Sequence, residues 1–170
     1  MGLPGTTTPG RVPSSIVVSR EIRPAWRSAA AELGLREGEA IVFLRRVRCA
    51  DGEPIALETA LLVGQLSPVV MAADLRHDSL HAILASAGWG LRRGTATVTA
   101  GSASKEDARL LGVPHGDPML VERRVILDGH GRPIEATESR YPAGRYAIAV
   151  RFDVEEAGSG PVTQAAVAAR

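Results

Sequence analysis

Residues 39–63 read EAIVFLRRVRCADGEPIALETALLV. Two runs rich in large and β-branched apolar residues, EAIVFLRRVR (39–48) and PIALETALLV (54–63), flank the segment CADGE. Asp51-Gly52 is a dipeptide that suits a tight hairpin turn. A second pair repeats the arrangement: PMLVERRVIL (118–127) and RPIEATESRY (132–141) enclose DGHG. Two hairpins in one chain predict an antiparallel sheet.

Outward from these hairpins, SSIVVSREI (14–22), GTATVTAG (94–101) and RYAIAVRFD (145–153) bring the predicted strands to seven. Helical patterns fill the gaps. PAWRSAAAELG (24–34) has Pro24 near its start and Gly34 at its end, the usual asymmetry. DSLHAILASAG (78–88) offers Asp78 or Ser79 as N-cap, Gly88 as stop, and Leu80, Ile83, Leu84 and Ala87 as an apolar stripe. SASKEDARLLGV (102–113) places Ser104 as N-cap with Asp107 three residues on, a loose capping box. Leu66–Asp74 reads as a short helix. The class is α+β, a mostly antiparallel β-sheet with packed helices. Residues 1–13 are Gly, Pro and Thr with little to bury and read as an arm or linker; 14–156 form the folded domain; 157–170 read as a flexible tail.

Bulk properties exclude several classes. The 170 residues are enough for one ordinary domain, and 45% hydrophobic with 23% charged residues is a globular composition. A net charge of +1, with the Arg pairs scattered along the chain, gives no cationic face for nucleic acid. A single Cys49 excludes an internal disulfide framework, and the four histidines do not pair at metal-ligand spacing. No metal site, cofactor or catalytic motif is expected. No signal peptide and no membrane-length apolar run is present, so a soluble cytoplasmic protein is the expectation.

The strand alternation is unusual in one respect. Arg46 and Arg48 share a face with Val42 and Leu44. Glu58 sits in an otherwise apolar row with Ala56, Ala60 and Leu62. Glu135 and Tyr141 share a face with Thr137 and Ser139. Each charge taken singly reads as a surface charge or a cross-strand ion pair worth under ~1 kcal/mol. Taken together, two arginines, two glutamates and a tyrosine suit a polar ligand. The arginines would take an anionic group bidentately, and the glutamates would accept from hydroxyls or an amine.

The order of these pieces carries a resemblance. LGLREGEAIVFLRRVRCADGEPIALE, DLRHDSLHAIL and ASKEDARLLGVPHGDPMLVERRVILDGHGRPIEATESRYPAGRY together resemble the UTRA domain, the effector-binding domain of HutC-type regulators in the GntR family. The resemblance runs from about Pro13 to Asp153. It implies a chorismate-lyase-like fold and, in members that respond to phosphorylated amino sugars, a phosphate held by the two arginines of R-x-R. Those positions are Arg46 and Arg48. It further implies contacts from Ser79 at a helix N-terminus, from the residue two later (often Tyr, here His81), from Glu58, and from Glu135 and Tyr141.

The chain also departs from the family pattern. The usual Y-R-x-D-R-Y is Tyr141-Pro142-Ala143-Gly144-Arg145-Tyr146 here, and no winged helix-turn-helix is encoded in residues 1–13. The expectation is a sensing and dimerisation domain: a homodimer that binds a small anionic effector, a sugar phosphate or carboxylate, and contacts DNA only through an N-terminal domain. The alternatives are a chorismate-lyase-like enzyme and a dimerisation module with a degenerate pocket. Two structural expectations accompany this reading. Glu135 and Tyr141 lie ~20 Å apart on a straight strand, so a shared small ligand needs a bend, a bulge or a turn near Pro142. Loss of either arginine is expected to leave the fold intact.

Overall fold

The computed structural model describes residues 11–91 and 93–148. Its strands are β1 (Pro13–Pro24), β2 (Ala40–Ala50), β3 (Glu53–Val63), β4 (Arg93–Ser102), β5 (Pro118–Leu127) and β6 (Pro133–Pro142). Its helices are α1 (Arg27–Leu33), α2 (Ser67–Ala72), α3 (Leu80–Ser86) and α4 (Lys105–Leu111), with a 3-10 turn at Gly64–Leu66 before α2. The strands form one sheet in the order β1-β2-β3-β6-β5-β4, and every neighbouring pair is antiparallel. No helix among the described residues is long and apolar enough to cross a membrane.

The first hairpin closes as its sequence demands. Ala50 pairs with Glu53, leaving the two-residue turn Asp51-Gly52 at φ 52° and 79°. Glycine accepts positive φ freely and aspartate tolerates it. The second turn is longer: Leu127 pairs with Pro133, so residues 128–132 make the loop. Asp128 organises it, accepting from the backbone N–H groups of His130 (2.8 Å) and Arg132 (3.0 Å) and from Arg132 Nε (2.9 Å). These donors, the Arg132 backbone N–H first among them, hold the Asp128 carboxyl down at about 2.

Strand alternation sorts the core into two faces. On one, α1 buries Ala29, Ala30 and Leu33 in a cluster with Ile134 and Ala136, and α4 buries Leu111 with Val47, Leu57 and Val121. On the other, Leu66, Val70, Leu80 and Leu84 of the α2–α3 region gather with Val42, Leu44, Ala60 and Leu62. Arg20, opposite Leu44 in register, fastens α2 by donating to the carbonyls of Val70 (3.3 Å) and Ala73 (2.8 Å). The predicted capping box is present: Ser104 Oγ accepts from Asp107 N–H (3.1 Å), and Asp107 Oδ2 accepts from Ser104 N–H (2.8 Å). Asp107 is also buried against β6, where Arg140 Nε donates to both its oxygens at 3.1 Å.

Several boundaries differ from the sequence reading. Pro24 ends β1 rather than opening α1, because an edge strand does not need the missing N–H. Helix α3 is shorter than 78–88, and α4 begins after Ser102 because that residue closes β4. Arg11 to Pro13 are not a loose arm: Arg11 Nε (2.8 Å) and Val12 N–H (2.9 Å) donate to Asp51 at the hairpin tip, and Pro13 opens β1. The seventh strand is not formed at Arg145–Ile148, which are turn and irregular chain; 149–153 and the tail at 157–170 lie outside the described residues. The cause is a turn after Pro142, closed by Arg145 N–H to the Pro142 carbonyl (2.9 Å). Arg145 then spends its guanidinium on the carbonyls of Pro54 (2.8 Å), Leu111 (2.6 Å) and Gly112 (3.3 Å), capping the end of α4.

Asp107 thus serves one helix end and one half-buried arginine. Asp107→Ala is expected to cost about 2 kcal/mol, because it removes the reciprocal bond to the N-cap and leaves Arg140 only Glu138 and the Ser102 carbonyl. Urea unfolding monitored by circular dichroism measures it; a loss under about 1 kcal/mol would show that α4 docks without this pair.

A polar sheet face as candidate ligand site

The register of the central strands places the charged residues in rows. Arg46 lies opposite Glu58, Glu58 opposite Ser139, and Ser139 opposite Glu122. The next row is Leu44, Ala60, Thr137 and Arg124, and the one after it is Val42, Leu62, Glu135 and Ile126. Residues in register share a face, so Arg46, Arg48, Glu58, Glu135 and Tyr141 all lie on the same side of the sheet, the side that α3 covers at the Glu135 end.

At the open end of this face stand the arginines. Arg46 is 1% exposed and its Nη2 pairs with Glu58 Oε1; Arg48 Nη1 is 3.6 Å from Glu58 Oε2. One carboxylate does not satisfy two guanidiniums. Among the described residues, Arg46 Nε and Nη1, Arg48 Nε and Arg124 Nε are all buried without a hydrogen-bond partner. Beside them, the Tyr141 hydroxyl donates to Glu122 Oε2 at 3.1 Å, and Tyr146 stacks on the Tyr141 ring with centroids 4.0 Å apart. Burial first, and the Glu122 charge after it, push the Tyr141 phenol well above its ordinary range, so it remains a donor.

At the other end, His81 from α3 meets β6. His81 Nε2 is 3.0 Å from Glu135 Oε2, and the Thr137 hydroxyl donates to Glu135 Oε1 at 2.6 Å. Glu135 is 1% exposed. Burial alone would raise its carboxyl. The His81 hydrogen bond and charge, then Thr137 and the more distant Arg124, outweigh burial and hold it below the ordinary value.

Three expectations are corrected. Glu135 and Tyr141 do not converge: β6 pairs with β5 without a break from Glu135 to Pro142, so the strand stays straight between them. The chain does turn back after Pro142, but it brings Tyr146 onto Tyr141, not Tyr141 toward Glu135. Ser79 is the N-cap of α3 yet makes no side-chain capping bond. It is exposed and lines an open depression with Asp78, Ala82 and Ser86, roughly 160° around the helix from His81. Nor is Arg46 a dispensable pocket residue, since among the described residues it is the largest side chain that is under 2% exposed.

Glu122 and Arg124 went unnoticed in the sequence, although the signal was there. In PMLVERRVIL the alternate residues Leu120, Glu122, Arg124 and Ile126 set a charge pair on one face, just as R-x-R does in β2.

Fold and face together define an effector-binding domain. The chain belongs to the UTRA domain family, whose model matches residues 8–147. It is 31% identical over 157 residues to the HTH-type transcriptional regulator Rv0792c of Mycobacterium tuberculosis, covering 89% of this chain and 56% of that protein. It is 27% identical over 143 residues to the histidine utilization repressor of Pseudomonas putida, covering 84% and 57%. Among solved structures, the effector domain of PhnF from Mycobacterium smegmatis superposes with a TM-score of 0.79 at 28% identity, covering 85% of this chain and 90% of that one. The ligand-binding domain of a GntR-family regulator from Bordetella bronchiseptica gives 0.75 at 25% identity, covering 83% and 92%. This chain spans about half the length of the curated relatives it matches. The α+β, chorismate-lyase-like fold is that of the effector domains of such transcription regulators.

The two arginines should respond differently to truncation. Arg46→Ala is expected to destabilise the fold by about 3–5 kcal/mol, since it strands a buried carboxylate, whereas Arg48→Ala should cost about 1 kcal/mol or less. Chemical denaturation of both variants checks this, and equal losses would contradict it. The Glu135 carboxyl, depressed in the folded state, adds stability that is present above its unfolded value of 4.5 and is lost as pH falls through the folded value. In His81→Ala the carboxyl midpoint should rise, because burial is then less opposed. Carbon-detected NMR titration of both proteins reads this directly, and an unmoved midpoint would mean that His81 does not hold Glu135 ionised.

Proposed function

We propose that this chain is the sensing domain of a GntR-family transcription regulator and that its effector is a small anion, a sugar phosphate or a carboxylate, seated on the polar sheet face. The observation that carries this reading is the set of buried guanidinium donors without partners on Arg46, Arg48 and Arg124. Such groups are costly when left unmatched, and an anion supplies what they lack. Glu58 is shared by Arg46 and Arg48, and Glu122 lies beside Arg124, while Glu135 on the same face is held by His81 and Thr137. Arg46 and Arg48 hold the acidic group, with Glu58 orienting both. Tyr141 offers a protonated hydroxyl, and Glu135 with His81 accepts from hydroxyls at the far end. Ser79 joins the site only if α3 shifts on binding, bringing its N-terminus over the arginines.

In this reading residues 14–156 form the sensing domain, and DNA is contacted through an N-terminal helix-turn-helix of the kind that gives the relatives their names, in the cytoplasm. Effector binding here would reposition paired DNA-binding heads, which calls for a two-fold homodimer. Of the two edge strands, β4 is the one proposed for this contact: among the described residues it pairs with β5 alone, and its described side chains are all exposed.

The test begins with a thermal-shift screen of sugar phosphates and small carboxylates, followed by calorimetry of the best binder, for instance glucosamine 6-phosphate. Arg48→Ala should weaken that binder roughly ten- to a hundred-fold, as the loss of a charge-assisted hydrogen bond does. Unchanged affinity would return Arg48 to the role of a surface charge. Sedimentation should give a dimer mass that Val98→Pro converts to monomer; a monomer across micromolar concentrations would count against the assembly.

A further inference from the structure

Arg123 and Arg124 are adjacent in sequence and opposite in circumstance. Arg123 points to the outer face, its side chain 66% exposed, and is fully served by Glu138, with Nη2 at 2.7 Å and Nε at 2.9 Å. Arg124 points to the polar face. Among the described residues its one ionic contact is Glu122, 3.8 Å away, whose other oxygen already accepts from Tyr141, and its Nε is buried without a partner. A guanidinium kept mostly out of water with so little in return has a vacancy in its hydrogen bonding.

Its position says what could fill the vacancy. Arg46 and Arg48 rise from β2 and Arg124 from β5, with β3 and β6 between them, three strand spacings or about 14 Å. Between the two walls, Ala60 and Thr137 stand in the row of Arg124, and Glu58 and Ser139 in the row of Arg46. Two sets of long cationic side chains thus flank a middle in which Glu58 is the one long residue of these rows.

We infer that Arg124 is a second ligand-binding arginine: the effector lies across the strands, with its acidic group at Arg46 and Arg48 and a second acceptor oxygen, carboxylate or carbonyl, at Arg124. This rests on the reading of the polar face as an anion site and adds to it an orientation and a chemical requirement. A molecule with one acidic end and an apolar remainder satisfies only one wall. A short molecule with acceptor oxygens at both ends satisfies both.

Three probes separate the possibilities on the full chain: inorganic phosphate, butyrate with one acidic end, and glutarate with two. Calorimetry is done on the parent chain, Arg48→Ala, Arg124→Gln and Arg124→Lys, with thermal unfolding as a check that each variant folds. The parent should bind glutarate about ten-fold more tightly than butyrate, the factor expected of one further charge-assisted contact. Arg124→Gln should abolish that advantage while leaving phosphate affinity within about two-fold, and Arg124→Lys, which keeps the charge but loses the planar fork, should restore it in part. Arg48→Ala should weaken all three. No glutarate advantage in the parent, or an advantage that survives Arg124→Gln, overturns the role of Arg124 while leaving the anion site intact. If no probe binds the parent, or binding is indifferent to Arg48→Ala, the reading of the face fails and this inference falls with it.

Discussion

Arg46 sits buried on β2, in a sheet that has little reason to tolerate it. Removing a guanidinium from water costs several kcal/mol unless its donors are met, and Glu58 meets only part of the demand. Everything else on that face follows from the shortfall. The short side chains of Ala60, Thr137 and Ser139 lie on the middle strands, and the long polar ones of β2 and β5 flank them. Helix α3 closes one end through His81 on Glu135. A core built purely for stability would fill these positions with aliphatic residues, as the opposite face does with Val47, Leu57 and Val121.

Arginine also does most of the fastening elsewhere. Arg140 joins β6 to the capping box of α4, Arg145 closes the other end of that helix, and Arg20 holds the carbonyls of α2. In each case the planar fork of donors serves a carboxylate or carbonyl oxygens that a helix terminus leaves unpaired. The chain has one lysine among its 20 basic residues, so these tasks fall to arginine by default. The same preference makes the ligand face hard to recognise, because structural and ligand-reading arginines look alike until their partners are counted.

That difficulty explains what was legible in the sequence. The hairpins, the capping box and the order of six strands follow from local signals: Asp51-Gly52, Ser104 with Asp107, and clean two-residue alternation. The face shared by Arg46, Arg48, Glu58, Glu135 and Tyr141 was readable for the same reason, since alternation fixes the side but not the neighbour. What failed depends on distance across strands. The separation of Glu135 from Tyr141 into two clusters needed the register. The buried state of Arg46 needed the packing around it. Glu122 and Arg124 were hidden because a charged pair in a strand is ordinarily solvent-facing, and β5 is internal only once β4 is laid beside it. Over Arg145–Ile148 the predicted strand is replaced by a turn, because Arg145 reaches back to three carbonyls, a commitment that no local pattern encodes.

From Gly94 to Ser102, β4 has no charge and no proline, and its side chains are Thr, Val, Ala and Ser. Proteins usually blunt such an edge with lysine, proline or a bulge. With a net charge of +1, the molecule also has little long-range repulsion to keep copies apart. Its unblunted backbone groups make this ribbon the part of the sheet where a further strand can add, so the solubility of the protein depends on whether that edge is covered.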